Sequence, residues 1–449
     1  MPPPKTPHYD GPRPFASLTR RQHAVGQGGF HTARLTGPSD SHWIESSGWI
    51  SFGVDPTTVS WIYDCGSEKQ SAVHEEIDTY LDTAAPWLDL LFISHLDNDH
   101  VNGIQRLFSG DPSLQVGTIA LPYLERGARA YALARAIADG TGADSEAFVR
   151  ALIVEPASAL SRFGPRRILL FRSGGDRTEG EPDGEIDPQG PSAPGREQPC
   201  WKLVRSDRSR PLGKVIATTG ELEATLVSDD AMLEAPIAHS GFRWLFKPYV
   251  RPADSEAVDK FLVQAAAKLG LELEDAKAKL FDTAQLKLLL SNEKETKALG
   301  DAYQAAFKSK NETSLCVYAG PAAEPEPINA GAFCFDDHAY VHRQSIGWLG
   351  TGDLNIKAKI WVDRFLVHYA TEIDRTRVLQ IPHHGSIHNW PADILDLKPR
   401  SCVASAAPLN PNWKHPSATI VGQVVASGAQ FRHVTYTKPY QEGFVFDAF

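Results

Sequence analysis

The chain is poor in cysteine, and the five it has, at positions 65, 200, 316, 334 and 402, are odd in number and form no C-x-x-C pair. That spacing fits neither a disulfide framework nor a thiolate zinc site. Long apolar runs are also missing. The opening MPPPKTPHYDGPRP lacks the apolar core of a signal peptide, and no stretch reaches the eighteen or so apolar residues that span a bilayer. No membrane association is therefore expected, and the expected location is cytoplasmic. Positive charge is in deficit, with 45 Lys and Arg against 55 Asp and Glu, for a net charge of −10. No overall basic field draws this chain to nucleic acid, so any such contact needs a local basic patch or bound cations. Nor is there a G-x-x-x-x-G-K-[ST] phosphate loop, a Rossmann glycine spacing or a G-x-S-x-G elbow.

What remains is an ordinary globular composition, 42% hydrophobic and 22% charged over 449 residues. Residues 1–20 are Pro-rich and polar and read as a flexible N-terminal arm. Short runs of alternating or β-branched character follow, such as TVSWIYDCGS, and PWLDLLFIS is a continuous apolar run of strand length, as for a strand buried on both faces. Residues 124–163 and 253–309 instead carry Ala and Leu at helical spacing, and Asp144-Ser145 is a cap candidate for the second helix of the first block. Residues 173–199 are dense in Gly, Pro and acid and read as a flexible surface segment. The last third returns to strands and helices. The pattern predicts a single α/β unit over 21–449, with strands early and late and helical material inserted between, rather than sequential domains.

The chemistry concentrates in LLFISHLDNDHVNG, where His95, Asp97, Asp99 and His100 follow an apolar strand. Metal ligands must converge to within about 2.0–2.3 Å of an ion, and a tight loop leaving a strand end can achieve this with residues one or two apart. Alternate residues project to the same side, so His95 and Asp97 can face one ion while Asp99 and His100 face another. Two ions about 3.5–4 Å apart form the clamp used in phosphoryl chemistry. The competing reading, acids that cap the next helix, needs one cap residue rather than four. Later turns supply further candidates. WLGTGDL exposes Asp353 on a Gly turn, suited to bridging two ions but also an ordinary β-turn composition. IPHHGS holds His383 and His384, NWKHPS holds His415, and WIYDCGS places Asp64 on a turn. Asp64 reads either as turn chemistry or as a carboxylate that fixes a ligand imidazole.

The motif S-H-x-D-x-D-H resembles the H-x-H-x-D-H signature of the metallo-β-lactamase superfamily. With Asp97 where the second His normally stands, it is most similar to the metallo-hydrolase domain of the competence DNA-uptake protein ComEC and its soluble relatives. The same landmarks recur in that order as Val25-Gly26-Gln27-Gly28-Gly29, Asp64 and Gly66, Asn311 with Ser314-Leu315, Thr351-Gly352-Asp353, Pro382-His383-His384-Gly385-Ser386, and Asn410 with His415-Pro416. They span about 21–118 and 311–449. The helical blocks and the acidic segment have no counterpart.

The resemblance implies a metallo-β-lactamase-like αββα sandwich with helical insertions. It also implies a binuclear site holding two divalent ions, Mn²⁺ or Zn²⁺, through His95, Asp97, Asp99, His100, Asp353 and His384. Carboxylate in place of imidazole favours the harder ion. His383 would bind phosphate or support the site, and His415 would be a further ligand or the general acid for the leaving oxygen. His239 is the candidate by order for one more superfamily histidine, although a lone His is more often structural. The implied function is a phosphodiesterase or nuclease cleaving DNA or a nucleotide by a metal-activated hydroxide, with Asp99, His383 and His415 catalytic. Two alternatives keep the same site: hydrolysis of a small (thio)ester, lactone or β-lactam, or a metal-binding scaffold acting with a partner protein. For soluble relatives the resemblance points to a partner such as an NTPase in a bacterial defence-type system.

Overall fold

A computed structural model describes residues 15–37, 41–42, 50–51, 58–140, 143–173, 186–194, 200–205, 212–219, 222–236, 243–306, 313–322, 331–407 and 414–447. The protein is a mixed α/β structure built on an eleven-stranded sheet and an eight-stranded sheet. Alternation along the strands sets how they stack. In the strand Thr58–Cys65, Val59, Trp61 and Tyr63 face one way while Ile62 and Cys65 face the other. In Leu315–Pro321 of the smaller sheet, Leu315, Val317 and Ala319 alternate with Cys316 and Tyr318 in the same manner. The first set from each sheet meets in a common core, where Trp61 lies 5.8 Å from Trp244 and 5.1 Å from Phe246. The outward sets are covered by helices, giving helices, sheet, sheet and helices in layers.

Each sheet contains a parallel half. Thr58–Cys65, Trp87–Phe92, Gln115–Pro122 and Arg167–Arg172 run parallel in the large sheet. In the smaller one, Gly347–Gly350, Thr376–Gln380, Ser401–Ser405 and Gln430–Val434 do the same. Apart from the edge strand Gln430–Val434, these strands are largely buried on both faces, which is why PWLDLLFIS reads as an unbroken apolar run. The loops at their carboxyl ends form the crevice in which α/β sheets place ligands.

Residues 126–161 form the helices Arg126–Asp139, Ala143–Val154 and Pro156–Ser161. A second group runs from Ser255–Leu269 through Glu293–Ala306. The two groups pack as one body, with Tyr131 5.7 Å from Phe261 and 5.3 Å from Tyr303. Asp254 caps the second group by accepting from the N–H groups of Glu256 and Ala257. The expected Asp144-Ser145 cap is displaced, because the helix begins at Ala143 and places both residues inside its first turn. Among the described residues, no helix is long and apolar enough to cross a membrane.

Two expectations from composition are corrected. Phe15–Gln22 is not part of an arm but a strand between Phe30–Thr36 and the late strand Tyr440–Asp447. Its Ala16 and Leu18 are buried, and the polar residue that disguises it, Arg20, is buried with them. Within the acidic segment, residues 186–194 are held against the sheet. Ile186 and Ala193 are buried, and Arg167 donates to the carbonyls of Asp187 and Gln189 at 2.9 and 2.8 Å. Residues 1–14, 174–185 and 195–199 lie outside the described residues.

Arg20 belongs to a buried ion network. Its Nε donates to Glu442 at 3.0 Å, Arg377 Nε donates to the other carboxylate oxygen at 3.0 Å, and Arg20 Nη1 donates to the Ile346 carbonyl at 2.8 Å. Burial opposes ionisation of Glu442, but the two guanidiniums outweigh it and hold the carboxyl below its ordinary range. A depressed folded-state pKa contributes stability above the unfolded value and loses it as pH falls through the folded one. Glu442→Gln should therefore cost about 3–5 kcal/mol at pH 7, because it removes the carboxylate that pairs with the buried Arg20 and leaves Arg377 to Asp337. Urea unfolding between pH 3 and 7 should also show a shallower acid limb in the variant, and equal stability and slope would contradict this assignment.

Candidate metal centre

Asp64 ends the strand Thr58–Cys65 in a left-handed conformation, with φ 59°, and is fully buried. Its carboxylate accepts the Ser94 N–H at 2.6 Å, the Ser94 hydroxyl at 2.7 Å and the His100 Nδ1–H at 2.8 Å. These bonds decide which nitrogens are bare. A hydroxyl has one proton, so Ser94, having donated to Asp64, must accept from His95 Nδ1 at 2.9 Å. His384 Nδ1 donates to the Ser405 carbonyl at 2.9 Å, since a carbonyl can only accept. All three imidazoles thus turn Nε2 toward a common space. Those three Nε2 atoms are buried and have no hydrogen-bond partner among the described residues.

Carboxylates close the space. Asp353 reaches His95, His100 and His384 Nε2 at 3.5, 3.3 and 3.5 Å, using one oxygen toward His95 and the other toward the remaining two. Asp97 lies 3.5 Å from His95 Nε2, and Asp99 lies 3.2 Å from His384 Nε2. Three overlapping sets result: His95 with Asp97 and Asp353, His95 with Asp99 and His100, and His100 with Asp353 and His384. Within each set the ligand atoms lie within 4.8 Å of one another, close to the span of about 4.6 Å across one ion with ligands at 2.3 Å. The residues therefore fit the expected metal, and Asp353 is shared between two of the sets. The six residues named from sequence as ligands come together here.

Backbone constraints explain the neighbouring motif residues. A side chain at Gly29 would meet the Asp64 carboxylate at 2.8 Å and His100 Nδ1 at 2.9 Å. At Gly352 it would strike Ser94 at 2.6 Å, on a backbone with φ 52°. His383 and His384 both adopt left-handed conformations, φ 47° and 56°, a strain of about 1–2 kcal/mol each that is characteristic of functional sites. That strain sends the two rings apart, so that His384 enters the ligand set while His383 Nδ1 approaches Asp353 at 3.3 Å from the rim. His415 stands farther out, with its ring 6.0 Å from that of His383. His239, Asn311 and Asn410 lie outside the described residues.

Electrostatics divide the cluster. Burial opposes ionisation of Asp99, but His100 and His384 outweigh it and hold the carboxyl well below the usual range. Asp353 is depressed likewise by the surrounding imidazoles against the effect of burial. His100 is buried too, yet Asp64, Asp99 and Asp353 outweigh burial and keep its pKa raised, so the carboxylates favour positive charge at this spot. Burial, assisted by neighbouring histidines, pushes His383 and His415 down to about 4. Burial thus favours the neutral imidazole at both positions.

Sequence reading missed the Ser405 carbonyl, which carries no side-chain signal, and Arg135. That guanidinium pairs with Asp97 from the helix Arg126–Asp139. Ser94, by contrast, was legible as the first residue of the motif. Comparison with protein-family models and with curated proteins returns no match.

Asp64→Asn tests the network. Asn tolerates the left-handed conformation but cannot accept both the Ser94 and His100 protons as a carboxylate does. Metal affinity, titrated against a chromophoric chelator, should weaken by about 10–100-fold. An unchanged affinity would show that Asp64 does not orient the ligands.

Proposed function

We propose that the protein is a metal-dependent hydrolase whose layered sheets and helices form the αββα sandwich of the metallo-β-lactamase type, with helical insertions. We further propose that its reaction is hydrolysis of a phosphodiester in DNA or a nucleotide. The observation that carries the reading is the convergence of three buried, bare imidazole Nε2 atoms on three carboxylates. Left without an ion, such an arrangement is costly, since each buried polar atom forgoes a partner. Asp97, Asp99 and Asp353 balance His95, His100 and His384, a donor set rich enough in oxygen to suit Mn²⁺ as well as Zn²⁺. Two such ions, when bound, supply a nucleophile at neutral pH and neutralise charge developing on a phosphoryl group.

The chain's own residues do the rest. Asp64 and Ser94 fix the tautomers of His95 and His100, and Ser405 fixes that of His384. Asp353 sits between the two halves of the set, positioned to be shared. His383 and His415, neutral at pH 7, offer hydrogen-bond acceptors along the rim, where a substrate hydroxyl or water would lie. The bulk charge of −10 leaves cations at this site as the principal attraction for a polyanion.

A second reading keeps the site and changes the bond cleaved. The cavity beside the centre carries apolar side chains such as Leu124 and Ile153, which would also accept a small (thio)ester. A substrate panel separates the two. With Mn²⁺ present, bis-p-nitrophenyl phosphate should be hydrolysed with a higher kcat/KM than an acyl thioester or nitrocefin. Asp99→Ala should lower the phosphodiester rate by about 10²–10³-fold or more with an unchanged unfolding midpoint. A thioester preference would favour the second reading, and full phosphodiesterase activity in the variant would refute the first.

A further inference from the structure

The metal-ligand cluster forms only one wall of a cavity of about 490 Å³. The opposite wall is supplied by the first helical insertion. Ala128, Tyr131, Ala132, Arg135, Ala136 and Asp139 all line it. Their spacing of three, one, three, one and three residues puts them on one face of the helix Arg126–Asp139. Glu146, Val149 and Ile153 line it from the next helix with the same periodicity. Three alanines on the first face keep the space open, and Tyr131, packed edge-on to Phe261 behind it, stiffens the wall. Such a volume lies in the range of about 300–1,000 Å³ typical of small-ligand cavities. It accommodates one nucleotide-sized group and not a duplex.

The charge of the cavity is equally specific. Six carboxylates line it, Glu68, Asp97, Asp99, Asp139, Glu146 and Asp353, against one guanidinium, Arg135, among the described residues. Glu146 is paired with Arg150, and the remaining excess of about four negative charges repels an anion unless cations such as two divalent ions offset it. Arg135 is largely buried and pairs with Asp97, so its fork is held at the boundary between the ligand cluster and the apolar wall. Arg135 lines the cavity, and a planar guanidinium, with five N–H donors, can keep its pair with Asp97 and still donate to an oxyanion.

We propose that this cavity binds one nucleotide of a single-stranded or small phosphoester substrate. The base lies against the alanine face of Arg126–Asp139, and Arg135 holds the phosphoryl group beside the ligand cluster. The inference rests on the metal-hydrolase reading above and adds to it a substrate class and a positioning residue contributed by the insertion. The helical insertion is then the specificity element, and duplex DNA is excluded by the size of the space.

Isothermal titration of the full-length protein with thymidine 5′-monophosphate tests this. Binding should require prior loading with Mn²⁺, and thymidine, lacking the phosphate, should bind at least tenfold more weakly. Arg135→Ala should weaken the nucleotide at least tenfold, with Arg135→Lys recovering only part of the loss. Ala132→Trp, which fills the space, should weaken the nucleotide at least tenfold while inorganic phosphate still binds. Mn²⁺ stoichiometry, measured on every variant, should stay at the wild-type value and so report an intact centre. Nucleotide affinity unchanged by both Ala132→Trp and Arg135→Ala, or a blunt duplex binding as tightly as the mononucleotide, overturns the proposal. If wild-type protein binds Mn²⁺ and hydrolyses bis-p-nitrophenyl phosphate while these variants behave as wild type, the pocket assignment alone falls. If it binds no Mn²⁺, the hydrolase reading falls and the pocket assignment falls with it.

Discussion

The carboxylate of Asp64 is the constraint on which the centre depends. It is fully buried at a strand end, and it accepts three hydrogen bonds, two from Ser94 and one from His100. Through the Ser94 hydroxyl its influence passes to His95, so one carboxylate sets the tautomers of two imidazoles. An isolated buried charge of this kind is expensive. Here the cost is offset by three hydrogen bonds that engage both oxygens, and the arrangement holds only while the chain around it keeps its shape. Gly29 must lack a side chain for the loop to approach Asp64 and His100, and Asp64 itself must hold a left-handed backbone.

The second dependence is between the sheets. His95, Asp97, Asp99 and His100 leave the strand Trp87–Phe92 of the large sheet, whereas Asp353 and His384 follow Gly347–Gly350 and Thr376–Gln380 of the smaller one. The set of His95, Asp99 and His100 comes from the large sheet alone, but both sets that contain Asp353 need ligands from the two sheets. Trp61, Trp244 and Phe246 pack between the two inner faces, and the packing of the sheets sets how the two groups of ligands are placed relative to each other. The positive-φ pair His383-His384 shows the reverse side of this coupling. The local strain is sustained by the fold around it, where His384 is anchored to the Ser405 carbonyl in the neighbouring strand.

Much of this was legible in the residues. The six ligand candidates could be named because each sits on a short turn after an apolar strand, and turn chemistry is written locally. Asp64, too, could be singled out, although sequence left open whether it served the turn or an imidazole, and it does both. Asp353 likewise proves more than a turn residue, since it touches three imidazoles. What escaped was non-local. Nothing near Arg135 in the chain marks it out, because its partner Asp97 is 38 positions away and the pairing depends on how the helix Arg126–Asp139 docks. Phe15–Gln22 was misjudged for a related reason. Arg20 looks like a solvated residue until Glu442 is brought beside it by the far end of the chain. Residues 186–194 have the composition of a flexible segment, yet Arg167 ties down their carbonyls. Burial, which composition does not report, is what lowers the pKa of His383 and His415.

The central proposal is that this chain can bind two divalent ions between its two sheets, with Asp353 a candidate ligand to each. Native mass spectrometry of the purified protein after equilibration with Mn²⁺ and removal of free metal tests it most directly. The account predicts two ions per chain in the wild type and at most one in Asp353→Ala, with the variant retaining its native charge-state distribution. A wild-type protein that carries no ion, or an Asp353→Ala variant that still carries two, would contradict it.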